Sequence, residues 1–253
     1  MGVKKPVFDH PSLKIGERVY SDLQPGQRMP ILNWVVAAKP VLWTAFCKLW
    51  VFKTWRQYFR YSYFFEEKLD PTKRYILYEA PHGTFPIGPI VAGTLCQTFF
   101  PDAPIYSVAA NSVFNIFISW IGSLPASKSN FKRLLAHGSV AVVVGGIAEM
   151  CNPKKERIKM LGRKGFVRIA LEEQVDGIVP VYYFGNSQAF NFGPAFLEGV
   201  HGKPIPVPKV AKDDPEFERH VSELLDIAVK GMQDLYEKHR KEYGWPEKPL
   251  SIE

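Results

Sequence analysis

Three short apolar runs constrain this chain most: Tyr75–Tyr78, Ser139–Val144 and Ile178–Phe184. Ser139-Val-Ala-Val-Val-Val144 does not alternate, so a strand there must be covered on both faces. Helical patterns lie between such runs. Pro89–Phe100 reads as a buried helix. Ser127–His137 reads as a helix closed by Gly138, and Gly165–Glu173 as one that turns Phe166, Ile169 and Ala170 inward. Ile105–Ala110 adds a further strand, and Asn111 or Ser112 can cap a helix running to Trp120. Strand alternating with helix predicts an α/β fold with a mainly parallel sheet flanked by helices. A long helix opens at Asp214-Pro215-Glu216 and ends by Gly244. Its apolar face is Phe217, Val221, Leu224, Leu225, Ala228, Met232 and Leu235, and Lys238, Arg240 and Lys241 sit where the helix dipole favours cations.

The expected organisation is an extended polar lead-in over 1–30, a membrane-associated helical segment over 31–65 and the α/β domain over 66–253. The middle segment is dense in Trp, Tyr and Phe interleaved with Lys39, Lys48, Lys53, Arg56 and Arg60. That mixture suits a helix at a lipid interface. No apolar run reaches the ~18 residues that a spanning helix needs, and Pro40 would bend one. The net charge of +7 suits acidic ligands, an anionic membrane surface or nucleic acid, and is equally what a solvated surface carries. The opening Met1-Gly-Val-Lys-Lys-Pro6 predicts neither a secretion signal nor myristoylation. Three separated cysteines (Cys47, Cys96, Cys151) predict no disulfide framework and a reducing compartment. The six histidines are scattered, so no metal site is expected.

The chemistry concentrates after the strands. Tyr75-Ile-Leu-Tyr-Glu-Ala-Pro81-His82-Gly83 delivers an imidazole to the carboxyl end of a strand, where α/β sheets carry their sites. Pro81 restricts the backbone before His82, and Gly83 allows a tight turn after it. Read alone, His82 is equally a structural residue of the turn. Glu149 follows a second strand end and could orient the imidazole of His82, a candidate general base. Gly145-Gly146 could aim backbone N–H groups at an oxyanion. The basic stretch Lys154, Lys155, Arg157, Lys159, Arg163, Lys164 lies just beyond and suits a phosphorylated carrier. Gly185-Asn186-Ser187-Gln188-Ala189 is close to a nucleophile elbow, with Asp213 and His220 downstream, which keeps a serine hydrolase in view.

In this order the pieces Ala80-Pro81-His82-Gly83, Val144-Gly145-Gly146-Ile147-Ala148-Glu149, Arg163-Lys164-Gly165-Phe166-Val167, Val179-Pro180-Val181 and Phe184-Gly185-Asn186 resemble the type-2 diacylglycerol acyltransferase family, in the glycerolipid acyltransferase superfamily. The likeness runs over roughly 65–253 and includes Gly202-Lys203-Pro204-Ile205 and Tyr243-Gly244. It implies transfer of a fatty acyl group from acyl-CoA to diacylglycerol, forming triacylglycerol at the cytosolic face of the endoplasmic reticulum membrane or on lipid droplets. It implies His82 and Glu149 as catalytic residues, and Pro81, Gly83, Gly145, Gly146, Arg163, Lys164, Gly165 and Asn186 around the substrates. Acyl-CoA is then a co-substrate, and neither a cofactor, a metal nor nucleic acid is expected; a homo-oligomer stays open. Two departures stand out. The family's first His is Ala80 here, and the superfamily's Asp five residues after the His is Ile87, so Glu149 or Glu79 must serve instead. The stretch from Asn186 to Gly202 is short, which leaves open a monoacylglycerol or long-chain alcohol acceptor, or an inactive lipid-binding homologue.

Overall fold

A computed structural model of the chain describes residues 42–99, 103–109, 118–149, 156–189 and 196–253, all within one compact unit, Pro40–Glu253. The lead-in over 1–30, residues 31–41 of the aromatic segment, the cap at Asn111 or Ser112, Cys151, Lys154 and Lys155 lie outside the described residues.

The chain enters through two short helices, α1 (Thr44–Cys47) and α2 (Trp50–Tyr58), then strand β1 (Ser62–Phe65). The helical expectation for 31–65 therefore needs correcting at its end. Ser62–Phe65 alternates exposed and half-buried, and pairs residue by residue with Glu198–His201. The strand's long-range partner decides the backbone there, which local aromatic density cannot reveal.

The centre follows the apolar runs: β2 (Tyr75–Ala80), α3 (Ile87–Phe99), β3 (Ile105–Ala109), β4 (Ser123–Pro125), α4 (Lys128–Leu135) and β5 (Ser139–Val143). After β6 (Glu156–Ile158) come α5 (Gly165–Glu172), β7 (Gly177–Phe184), β8 (Glu198–His201), β9 (Ile205–Pro206), α6 (Phe217–His239) and β10 (Leu250–Ile252). Among the described residues the main sheet has the order β1-β8-β7-β2-β5-β3-β4, with β9 also on β7. From β7 to β4 every pairing is parallel; β8 runs antiparallel to β7 and carries β1 parallel to itself. The expected mainly parallel α/β sheet is what forms. β6 and β10 make a separate parallel pair.

Strand periodicity sorts β2 between two faces. Ile76, Tyr78 and Ala80 join Phe131, Val140, Phe166, Val221 and Leu224 in one continuous core under α4, α5 and α6. Tyr78 stacks on Phe166 and its hydroxyl donates to the Ala228 carbonyl at 3.0 Å, so even the polar tip is satisfied. Every residue of the expected α6 apolar face is buried there, joined by Tyr236 and His239. Tyr75 and Leu77 face the other way, with Ala141, Val179, Val181 and Tyr183, toward α3. Ser127 caps α4, its hydroxyl accepting from Asn130 N at 3.1 Å.

Candidate active site

β2 ends in a cis Ala80–Pro81 bond, and His82 follows at the carboxyl edge of the parallel strands. Gly83 has φ +62°, and a Cβ there would lie 2.7 Å from the Asn186 carbonyl oxygen, so both conformation and space call for glycine. Asn186, only 1% exposed, fastens this turn. Its Nδ2 donates to the carbonyls of Pro81 (3.0 Å) and His82 (2.8 Å), while its Oδ1 accepts from Gly88 N (2.9 Å) at the start of α3. One buried amide thereby joins the end of β2, the β7 turn and α3. A buried polar side chain with three good partners is a rigid support, because losing any of them leaves an unsatisfied group.

Glu149 does reach His82, though not at the ring. Its Oε2 accepts from the main-chain N–H of His82 at 2.5 Å, and its Oε1 from Lys159 N at 2.8 Å. The expectation that Glu149 orients the imidazole is corrected accordingly: it holds the backbone that carries the imidazole. Main-chain donors exist at every residue, so the pattern of side chains alone could not single them out. Burial pushes the Glu149 carboxyl up to about 7, against the downward pull of the two N–H donors and of Arg163. Gly145 serves this carboxylate, since a Cβ at Gly145 would occupy its position. Gly146 has φ +53° and lines the same cavity as His82.

The imidazole is oriented by a carbonyl. His82 Nδ1 lies 2.8 Å from the Gly83 oxygen. A carbonyl only accepts, so the proton sits on Nδ1 and Nε2 carries the lone pair. His82 borders a cavity of about 240 Å³ between the sheet and α3. Its walls are largely apolar, with Leu77, Pro89, Ala92, Ile105, Ile121 and Ala141 among them; Glu79 and Tyr183 are polar members, as are Tyr63, Tyr106 and the mutually hydrogen-bonded Ser107 and Ser123. Cys96 is also on the wall, but burial pushes its thiol up to about 12, which removes it as a nucleophile.

The basic stretch divides. Arg157 (3.1 Å) and Lys159 pair with Glu253. Arg163 and Lys164 are exposed on the loop before Gly165, the first residue of α5, and Lys164 donates to the Ser222 hydroxyl at 3.0 Å. The elbow reading of Ser187 does not assemble. Its hydroxyl donates to Glu156, a buried carboxylate also bound by Tyr182 (2.6 Å) and Lys248 (2.7 Å). His220 instead faces Glu223 on α6, at 3.4 Å. What the sequence missed is the cavity: Tyr183 and Cys96 read as ordinary strand and helix residues. The visible clue was Glu79, a carboxyl on the α3 face of an apolar strand.

A family model described as diacylglycerol acyltransferase matches residues 39–195. The chain is 25% identical to diacylglycerol O-acyltransferase 2-like protein 6 of Homo sapiens, over 81% of this chain and 77% of that protein. It is 26% identical to diacylglycerol O-acyltransferase 2A of Umbelopsis ramanniana, over 85% and 76%. It is 24% identical to acyl-CoA wax alcohol acyltransferase 2 of Homo sapiens, over 75% and 74%. The matched span contains β2, the His82 turn, Glu149 and Asn186, and by that match the chain belongs to the diacylglycerol acyltransferase family.

Proposed function

We propose that this acyltransferase moves a fatty acyl group from acyl-CoA to the free hydroxyl of diacylglycerol, with His82 as general base and no acyl-enzyme. The observation that carries the reading is the 2.8 Å contact of His82 Nδ1 with Gly83 O at the wall of a largely apolar cavity, which leaves Nε2 for the role of base. In the reaction Nε2 takes the acceptor's proton as its oxygen attacks the thioester carbonyl. The tetrahedral oxyanion is met by backbone N–H groups around Gly146, then collapses. The C–S bond breaks, and the departing CoA thiolate recovers the proton from Nε2. A base of this kind contributes typically ~10²–10⁴-fold. Arg163 and Lys164, exposed on the loop before α5, suit the phosphates of CoA, and the Arg163 charge is near enough to act on Glu149.

Membrane placement follows from the same chemistry, because neither lipid tail then has to enter water. Among the described residues no helix is long and apolar enough to cross a membrane. Trp50 and Tyr58 are nonetheless exposed on α2, Trp50 at 75%, and Trp43 and Leu49 just before α1 and α2, with Lys48, Lys53 and Arg60 exposed among them. Behind that face, Phe46 and Phe52 pack on Ile121, and Ile121 lines the cavity. Such a surface fits shallow insertion into the interface, which we assign to the cytosolic leaflet of the endoplasmic reticulum. The wax alcohol relative supports a second acceptor, a long-chain alcohol, which presents the same hydroxyl to Nε2.

The test is an acceptor panel in micelles with one labelled acyl-CoA. The expected product is triacylglycerol from diacylglycerol. Faster ester formation on a long-chain alcohol or monoacylglycerol would move the assignment to that acceptor, and no transfer to any of them would favour the lipid-binding homologue.

A further inference from the structure

We propose that Glu79 and Tyr183 form a hydrogen-bonding subsite within the cavity, and that it selects a substrate chain carrying a hydroxyl group. This rests on the acyl-transfer reading above, which puts an aliphatic chain in the cavity. The pattern of β2 raises the question first. Tyr75, Leu77 and Glu79 share one face of the strand, and the third position breaks an otherwise apolar series. Glu79 is 7% exposed, and carboxylates are seldom so buried without a cation. Among the described residues no Lys, Arg or His side chain lies within ion-pair distance of it. Its partner is the Tyr183 hydroxyl, which donates to Oε1 at 2.8 Å. The Tyr63 ring stands edge-on beside Tyr183, centroids 6.4 Å apart, and all three residues line the cavity.

Burial pushes the Glu79 carboxyl up to about 7, so at and below neutral pH the neutral acid is well populated, with an O–H to donate as well as oxygens that accept. A hydroxyl on the chain can match either role. A plain methylene chain matches neither, and would seal a polar group against hydrocarbon. Glu79 lies within β2, whereas His82 follows beyond the strand's end, so the selected hydroxyl sits along the chain and not at the reacting carbon. A structural hydrogen bond alone would need no open space beside it, and here the carboxyl and the phenol both border the cavity.

The test compares wild type with Glu79→Leu on matched plain and hydroxylated substrates in one micellar assay. One arm carries the hydroxyl at successive positions of the acyl-CoA chain; the other carries it on the alkyl chain of the acceptor. Wild type is expected to favour one hydroxylated isomer by about tenfold in kcat/KM. Glu79→Leu should bring that ratio to about one or below, and Glu79→Gln, which keeps a donor and an acceptor, should restore most of it. The ratio is internal to each preparation, so a partly folded variant still gives a reading, and the arm that responds identifies which substrate occupies the cavity. Equal use of plain and hydroxylated chains by wild type, or a preference that survives Glu79→Leu, overturns the subsite while leaving acyl transfer intact. Absence of transfer from every acyl-CoA overturns the underlying reading and the subsite together.

Discussion

The two faces of the central sheet are built to opposite ends. Under α4, α5 and α6, Ile76, Tyr78 and Ala80 are sealed into an unbroken core. Under α3, the neighbouring residues of the same strand meet a cavity that holds Glu79, Tyr183 and, at its rim, His82. Alternate side chains of β2 thus serve stability and chemistry separately. Interiors are close-packed, so a cavity beside a buried acid is a departure that stability alone does not require. The contrast predicts that changes on the two faces will separate activity from folding.

The largest effect belongs to the rim. Asn186→Ala should lower kcat by ~10–100-fold with a smaller rise in KM, because the turn bearing His82 loses two carbonyl anchors and its tie to α3. Steady-state kinetics at matched folded fraction checks this; a change in KM alone would move Asn186 to substrate binding. On the opposite face, Leu224→Ala should cost ~2–5 kcal/mol of unfolding free energy, read by denaturant titration, with turnover per folded molecule close to wild type. A large loss of specific activity there would break the division between the faces.

A subtler effect comes from pH. Folding raises the Glu79 carboxyl from the ordinary 4.5 to about 7, so between those values the folded state binds more protons than the unfolded chain. Stability therefore falls as pH rises through that window and levels off above it, by up to the order of 3 kcal/mol for this group. Glu149, raised to about 7 as well, adds the same sign. Glu79→Gln should flatten the decline in Tm between pH 5 and 7.5 without abolishing it. An unchanged slope would mean that the carboxyl is not buried as an acid. Least of all, breaking the exposed Arg168–Glu218 pair with Glu218→Gln should leave Tm nearly unchanged, because solvent screens the pair.

Much of the solid face was legible beforehand, because it follows from periodicity. Ser139–Val144 announces a strand covered on both sides, and Phe217 to Leu235 announces one buried helix face. His82 could be located because Pro81 and Gly83 mark the strand end. The rim was less legible, since its decisive contacts run through main-chain groups: Glu149 to the N–H of His82, and the His82 ring to the carbonyl of Gly83. β1 and β8 escaped notice for a related reason. Each has four residues and finds its partner far along the chain, beyond the reach of any local pattern.

The central claim is that Nε2 of His82 removes the acceptor's proton at the cavity rim. Its most direct test is transfer of a labelled acyl group from acyl-CoA to diacylglycerol by wild type and His82→Ala, in the same micelles and at matched folded fraction. The account predicts a loss of at least ~10²-fold with Tm nearly unchanged. Turnover by His82→Ala near the wild-type rate would contradict it.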